Sequence, residues 1–164
     1  MRINKTLFTI AFLCLCLYGL TQKPIKVKVI IDFNSSDNFQ HKLKGCSVLI
    51  FENSKKIDSV FNKGHVFKFE LKNRSLYKIV FQKKGFVSKH IIVNTSNYPE
   101  KKIKRFKLKA DVGLFHFKGN ENISFLDREP VSIAYYNEIK KEIMWDFEYN
   151  RSIVEKIIHA QIKR

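Results

Sequence analysis

Cysteine is scarce in this chain of 164 residues, which contains only three. Cys14 and Cys16 lie in an apolar run near the N-terminus, so the rest of the chain keeps Cys46 alone. A single thiol cannot form an internal disulfide, so a hydrophobic core must hold the fold together. The chain has fifteen phenylalanines, and the thirteen outside that run can supply such a core. We expect Cys46 to be a small buried hydrophobic residue, with a redox or intermolecular thiol as the alternative.

Glycine is also infrequent, and its six copies are scattered, mostly at turns. The sequence therefore has no glycine-rich loop for a phosphate, and it contains no G-x-S-x-G nucleophile motif. Its five histidines do not recur at the spacing of metal ligands on one helix or strand. These absences predict a protein that is not an enzyme and that needs no metal or cofactor.

Residues 7–20 form the one long apolar run, and its 14 residues are too few for a comfortable membrane span. Two basic residues precede the run, and Gly19 and Thr21 place small side chains before Gln22. This layout is typical of a secretory signal peptide. We expect residues 1–22 to be removed on export, which leaves no transmembrane span; an uncleaved N-terminal anchor is the alternative.

Acidic residues are few, because 15 Asp and Glu stand against 31 Lys and Arg, a formal net charge of +16. A basic field of this size attracts phosphate, nucleic acid, anionic lipid or acidic glycan. The alternative is that the lysines only form the solvated face of a sheet, since they alternate with apolar residues along most segments.

Alternation of apolar and polar residues with period two is abundant and predicts β-strands. The stretch from Gly64 to Val93 predicts three short strands joined by two polar turns. Apolar residues of its first two strands share one face each and are predicted to be buried: Phe67, Phe69 and Leu71, then Tyr77, Ile79 and Phe81. The same pattern predicts further strands over residues 25–33, 46–52, 56–61, 103–110 and 112–117.

The pattern changes after Gly119. Residues 131–136 and 141–145 predict a hairpin, and Asp146 is a candidate N-cap for a C-terminal helix, with Asn150 as the alternative. A stripe of apolar residues recurs there at helical spacing: Ile153, Val154, Ile157, Ile158 and Ile162. We expect the helix to dock on the sheets by this stripe; a helix that binds a partner is the alternative.

The segment of residues 43–89, LKGCSVLIFENSKKIDSVFNKGHVFKFELKNRSLYKIVFQKKGFVSK, resembles the carboxypeptidase-regulatory-like (transthyretin-like) β-sandwich domain. The matching positions are core apolar residues, turn glycines and one lysine: Gly45, Val48, Ile50, Gly64, Phe67, Phe69, Leu71, Tyr77, Ile79, Phe81, Lys83, Gly85 and Phe86. The resemblance to this domain covers roughly residues 25–110, and with its signal peptide the whole chain resembles small exported proteins of Bacteroidetes. The resemblance implies a noncatalytic accessory or binding module of the cell envelope.

We therefore predict a mainly β protein: a single Ig-like or transthyretin-like antiparallel β-sandwich of seven or more strands with a C-terminal β-hairpin and α-helix. The signal peptide would cover residues 1–22, the sandwich residues 23–110, and an extension packed on the same domain residues 111–164.

The densest run of basic residues is the predicted site for an anion or a partner: Lys102, Lys104, Arg105, Lys107 and Lys109. Period two places the last three on one side of a strand, with Phe106 pointing inward. Lys83, Lys84 and Lys89 would join this run if their strand paired with it.

These features predict a noncatalytic exported binding or scaffolding module of the bacterial cell envelope, in the periplasm, at the outer membrane or secreted. Its expected partner is an envelope protein or an anionic glycan or lipid. Nucleic acid is disfavoured, because export separates the protein from it. The alternative is a basic module that binds anionic polymers or lipid headgroups, including nucleic acid.

Overall fold

The computed structural model of the chain describes residues 25–35, 41–72, 74–99, 105–117, 119 and 122–162. These residues form nine β-strands, a 3-10 helix over Ser124–Asp127 and one α-helix, α1, over Phe147–Ile162. The predicted signal peptide lies outside them. The strands are β1 (Lys26–Ser35), β2 (Cys46–Glu52), β3 (Lys55–Asn62), β4 (Val66–Leu71), β5 (Leu76–Gln82), β6 (Lys89–Asn94), β7 (Arg105–Leu114), β8 (Ser132–Asn137) and β9 (Glu142–Trp145).

The strands are divided between two sheets. The small sheet has the order β4-β1-β7, and the large sheet has the order β3-β2-β5-β6-β8-β9. Both sheets are mixed, because β1 pairs in parallel with β7 and β6 pairs in parallel with β8. The prediction of an antiparallel sandwich is wrong in this respect. Parallel neighbours need a long crossover connection between them. The chain from β2 to β6 connects β1 to β7, and the chain through β7 and the 3-10 helix connects β6 to β8.

The alternating pattern buries one face of each inner strand. In β1, Val27, Val29 and Ile31 are fully buried, as predicted. Phe33 of β1 meets Phe81 of β5 edge to face, with ring centroids 5.5 Å apart. One hydrophobic core therefore joins the inner faces of both sheets in a sandwich-like arrangement.

The three strands predicted between Gly64 and Val93 are divided between the two sheets. β4 pairs with β1 in the small sheet, whereas β5 and β6 pair with each other in the large sheet. Phe67 and Tyr77 are both buried, as predicted, but they reach the core from opposite sheets; Phe69 is only half-buried. The alternation of apolar and polar residues predicts which face of a strand is buried, but it does not predict which strand pairs with it.

One strand replaces the two that were predicted over residues 103–110 and 112–117. β7 pairs with β1 without interruption through Asp111, so the predicted domain boundary at residue 110 falls inside this strand. The third strand predicted in the stretch from Gly64 to Val93 is confirmed as β6, which begins at Lys89. Its position between β5 and β8 explains why Ile91 and Val93 are buried.

The predicted hairpin is confirmed as β8–β9, and β2 and β3 form a second hairpin. Asn53 and Ser54 join β2 to β3 with positive φ angles of 47° and 70°, as a type I′ turn requires. In the turn between β8 and β9 Asn137 Oδ1 accepts the N–H groups of Ile139 and Lys140 at 3.0 and 2.9 Å.

α1 begins directly after Asp146, whose Oδ1 accepts the N–H of Tyr149 at 3.0 Å. The predicted N-cap is therefore confirmed. The helix then docks by only part of its apolar stripe. Ile153 and Ile157 are buried in a second, smaller core, but Val154 and Ile158 remain 50% and 46% exposed. Of the helices in the described part of the chain, none is long and apolar enough to cross a membrane.

Candidate functional site

The predicted basic run lies on β7, at the side of the small sheet that faces solvent. Arg105, Lys107 and Lys109 are exposed and alternate with two buried residues, as period two predicts. Lys102 and Lys104, the other members of the predicted site, lie outside the described residues. The described part of the site is thus a row of three cations, about 7 Å apart along the strand.

β1 widens this row into a face. Because β1 and β7 pair in parallel, Lys26 lies opposite Arg105 and Lys28 lies opposite Lys107. Like charges directly opposite each other on one sheet face repel and destabilise the pair. Among the described residues these four cations have no ion-pair partner. We call the outward-facing cations of this sheet the basic face: Lys26, Lys28, Lys68, Arg105, Lys107 and Lys109. Lys26 is half-buried, and the other five are exposed.

Carboxylates share the outer side of the sheet but lie mostly at its other end. Asp32 and Asp111 are opposite each other near the ends of β1 and β7, and Asp32 is paired with Lys42 at 2.8 Å. Glu70 of β4 lies opposite Lys28. The positive charge is therefore concentrated toward the first residues of β1 and β7.

The lysines that were expected to join the row do not. Their joining the row required β6 to pair with β7, but these two strands belong to different sheets. Lys83 Nζ donates to the carbonyl of Lys44 at 2.6 Å, within the region of the large sheet. Lys84 is exposed, and Lys89 turns into the protein interior.

A cavity of about 580 Å³ lies between the edge of the small sheet and α1. No pattern in the sequence indicates this cavity. β7 is the last strand of the small sheet, and its backbone from Lys109 to Gly113 forms one wall. β6, β8, β9 and α1 form the others. Most of the lining side chains are apolar: Ile91, Val112, Phe115, Val131, Trp145, Val154, Ile157 and Ile158.

Lys89 is the buried cation of this cavity, with 7% of its surface exposed. Its Nζ donates to the carbonyl of Gly113 and lies 4.7 Å from the centroid of the Phe115 ring. Burial lowers the pKa of Lys89 to about 8. The sequence contains a sign of this burial, because Lys89 is the first residue of a strand that is apolar on both faces.

Two side chains cover the exposed backbone of β7 beside the cavity. Lys89 Nζ donates a hydrogen bond to the carbonyl of Gly113, and Trp145 Nε1 donates one to the carbonyl of Lys109 at 2.7 Å. An open strand edge invites pairing with another chain, and side chains that cap its carbonyls limit this. The cavity wall is therefore a partly protected edge.

Cys46 is buried, as predicted, and burial raises the pKa of its thiol while the nearby charge of Lys83 opposes that shift. Within the described ranges no group of three or more His, Cys, Asp or Glu side chains could hold a metal ion.

No family model matches the chain, and no curated protein matches it significantly. Among solved structures the chain is similar to the Bacillus anthracis TIE protein, with 18% sequence identity and a TM-score of 0.42. The match covers 74% of this chain and 24% of the other, so the chain spans about a quarter of that protein's length.

Proposed function

We propose that the protein is a noncatalytic, exported binding or scaffolding module of the bacterial cell envelope, of the carboxypeptidase-regulatory-like kind. Three observations support this proposal. Residues 43–89 resemble that domain, residues 1–22 have the layout of a secretory signal peptide, and two sheets share one core. An Ig-like or transthyretin-like arrangement of the strands is part of the same proposal.

The basic face is the binding surface in this proposal, and the observation that carries it is the pairing of like charges. Lys26 and Lys28 lie opposite Arg105 and Lys107, which costs stability in the free protein. A negatively charged ligand would relieve this repulsion. Cations repeat about every 7 Å along each strand, and the two rows are about 5 Å apart.

Such regular spacing favours a ligand with repeating negative charge, and an acidic surface glycan is an envelope component with that property. A protein with an acidic patch is the second candidate, because the carboxylates at the far end of the sheet would orient a structured partner. Salt should weaken binding of either, since the cations are exposed.

Capture from envelope extract with three immobilised proteins tests the proposal. They are the wild type, the face variant R105E/K107E/K109E and a control, K55E/K56E/K63E, which reverses three exposed lysines at the β3 side of the large sheet. Both variants change the net charge by the same amount. Both should fold like the wild type by circular dichroism, because exposed charges contribute little to stability.

We expect the face variant to lose capture and the control to keep it, and about 0.5–1 M salt to release the captured material from the wild type. Digesting the extract with protease before capture separates the two ligands, because an acidic glycan survives and a protein does not. Equal capture by both variants would show that the binding surface lies elsewhere.

A further inference from the structure

The cavity beside α1 has the dimensions and the lining of a small-molecule site. Its volume of about 580 Å³ lies within the range of roughly 300–1,000 Å³ that is typical of ligand pockets. Its lining is mainly apolar and comes from five elements of the fold. The few polar groups include Ser132 and Asn150, which bond to each other at 2.8 Å, and Lys89.

Lys89 is the feature that the fold alone does not explain. Burying an ammonium is costly unless it is paired with an anion. An ammonium has three donors, and the contacts of this one in the described structure are one carbonyl and one ring face. No described carboxylate is within ion-pair distance of it. A methionine would fill the same space without the cost of the charge.

We propose that this cavity binds an apolar molecule that carries a single carboxylate, with the carboxylate at Lys89 and the apolar body against Val112, Trp145 and the open part of the α1 stripe. The site is independent of the basic face. A ligand here would cover Val154 and Ile158, the residues of the stripe that the core leaves half-exposed.

Charge and geometry select a carboxylate over a phosphate. Phosphate sites typically use an arginine fork or several backbone N–H groups, whereas this cavity offers one ammonium. The other charged residues of the lining, Lys109 and Asp111, are exposed and of opposite sign, and the lining residues of α1 are uncharged. The interior charge is therefore that of Lys89.

Burial lowers the pKa of Lys89 to about 8, so the ammonium is mostly charged at pH 7. A bound carboxylate would stabilise the charged form and raise this pKa. Where the ligand itself is ionised, its affinity should therefore be constant well below pH 8 and should fall as the pH rises above it. A neutral ligand of the same length should show no such dependence.

Calorimetric titration of the wild type with octanoate and with octanol tests the proposal, because the two probes differ only in the charged group. We expect octanoate to bind at least about tenfold more tightly at pH 7, since hydrogen bonds to charged groups are strong. Each added methylene should tighten binding about three- to fourfold. Raising the pH to 9.5 should weaken octanoate and leave octanol unchanged.

Lys89→Met should reduce octanoate affinity to that of octanol, while Lys84→Met, the same change at an exposed lysine outside the cavity, should alter neither. Equal affinity of the wild type for the two probes, or no binding of either at millimolar concentration, would overturn the proposal. Equal loss in both lysine variants would also overturn it. The wild-type comparison decides the matter if Lys89→Met does not fold.

Discussion

Replacing Phe81 with alanine would remove a ring that joins the two sheets. Phe81 of β5 is fully buried and meets Phe33 of β1 edge to face across the core. Truncating a buried phenylalanine costs about 3–5 kcal/mol, through lost burial and the cavity left behind. The aromatic pair accounts for about 0.5–1.5 kcal/mol of such a loss. We therefore expect Phe81→Ala to lower the free energy of unfolding by about 4 kcal/mol.

Urea unfolding measures this change, and the fluorescence of Trp145, the single tryptophan, provides a signal. Phe61→Ala is the matched control, since that ring is 63% exposed and its loss should cost no more than about 0.5 kcal/mol. The double variant with Phe33→Ala should show a coupling of about 0.5–1.5 kcal/mol. A loss below about 1 kcal/mol for Phe81→Ala, or no coupling, would refute the shared core.

Three further predictions concern the helix cap, pH and export. Asp146→Ala should cost about 1 kcal/mol of unfolding free energy, because the N–H of Tyr149 loses its acceptor, and Asp146→Asn should restore most of it. His90 is buried, and its burial, with a smaller effect from the charge of Lys78, lowers its pKa from 6.5 to about 4. Between these two pH values the unfolded chain binds more protons than the folded chain. The stability of the fold should therefore decrease as the pH drops from 6.5 to about 4. His90→Gln should flatten this part of the pH profile, and a profile that keeps its slope would assign the effect to other groups. Intact mass of the native protein should show cleavage near Thr21–Gln22, whereas a retained N-terminal methionine would contradict export with cleavage.

The strands and their buried faces could be predicted from the sequence, because period two is a local property of the chain. The segment Cys46–Glu52 has the predicted bounds, and the buried residues of β1 are those that its alternation selects. Asn53, a residue type that tolerates a positive φ angle, is likewise a local mark of the turn between β2 and β3.

The partners of the strands could not be predicted in this way. A turn at Asn62–Gly64 would fit a hairpin, yet the chain there crosses from the large sheet to the small one, and β4 pairs with β1. The parallel pairing of β1 with β7 joins residues about 80 positions apart, and alternation carries no information on such distant neighbours.

The basic face and the cavity also differ in how far local sequence could predict them. The row on β7 was visible because Arg105, Lys107 and Lys109 are close in sequence. The lysines of β1 could be added to the basic face only when the register of the parallel pair was known. The cavity escaped prediction because its walls come from β6, β7, β8, β9 and α1, which meet only in the folded chain.

Lysine acetylation followed by mass spectrometry, with and without envelope extract, tests most directly whether the basic face is the binding surface. We expect the extract to protect Lys28, Lys107 and Lys109, whereas Lys55 and Lys56 on β3 should keep their reactivity. All five lysines are exposed in the free protein. Protection of the β3 lysines with full reactivity on β1 and β7, while material from the extract is bound, would contradict this expectation.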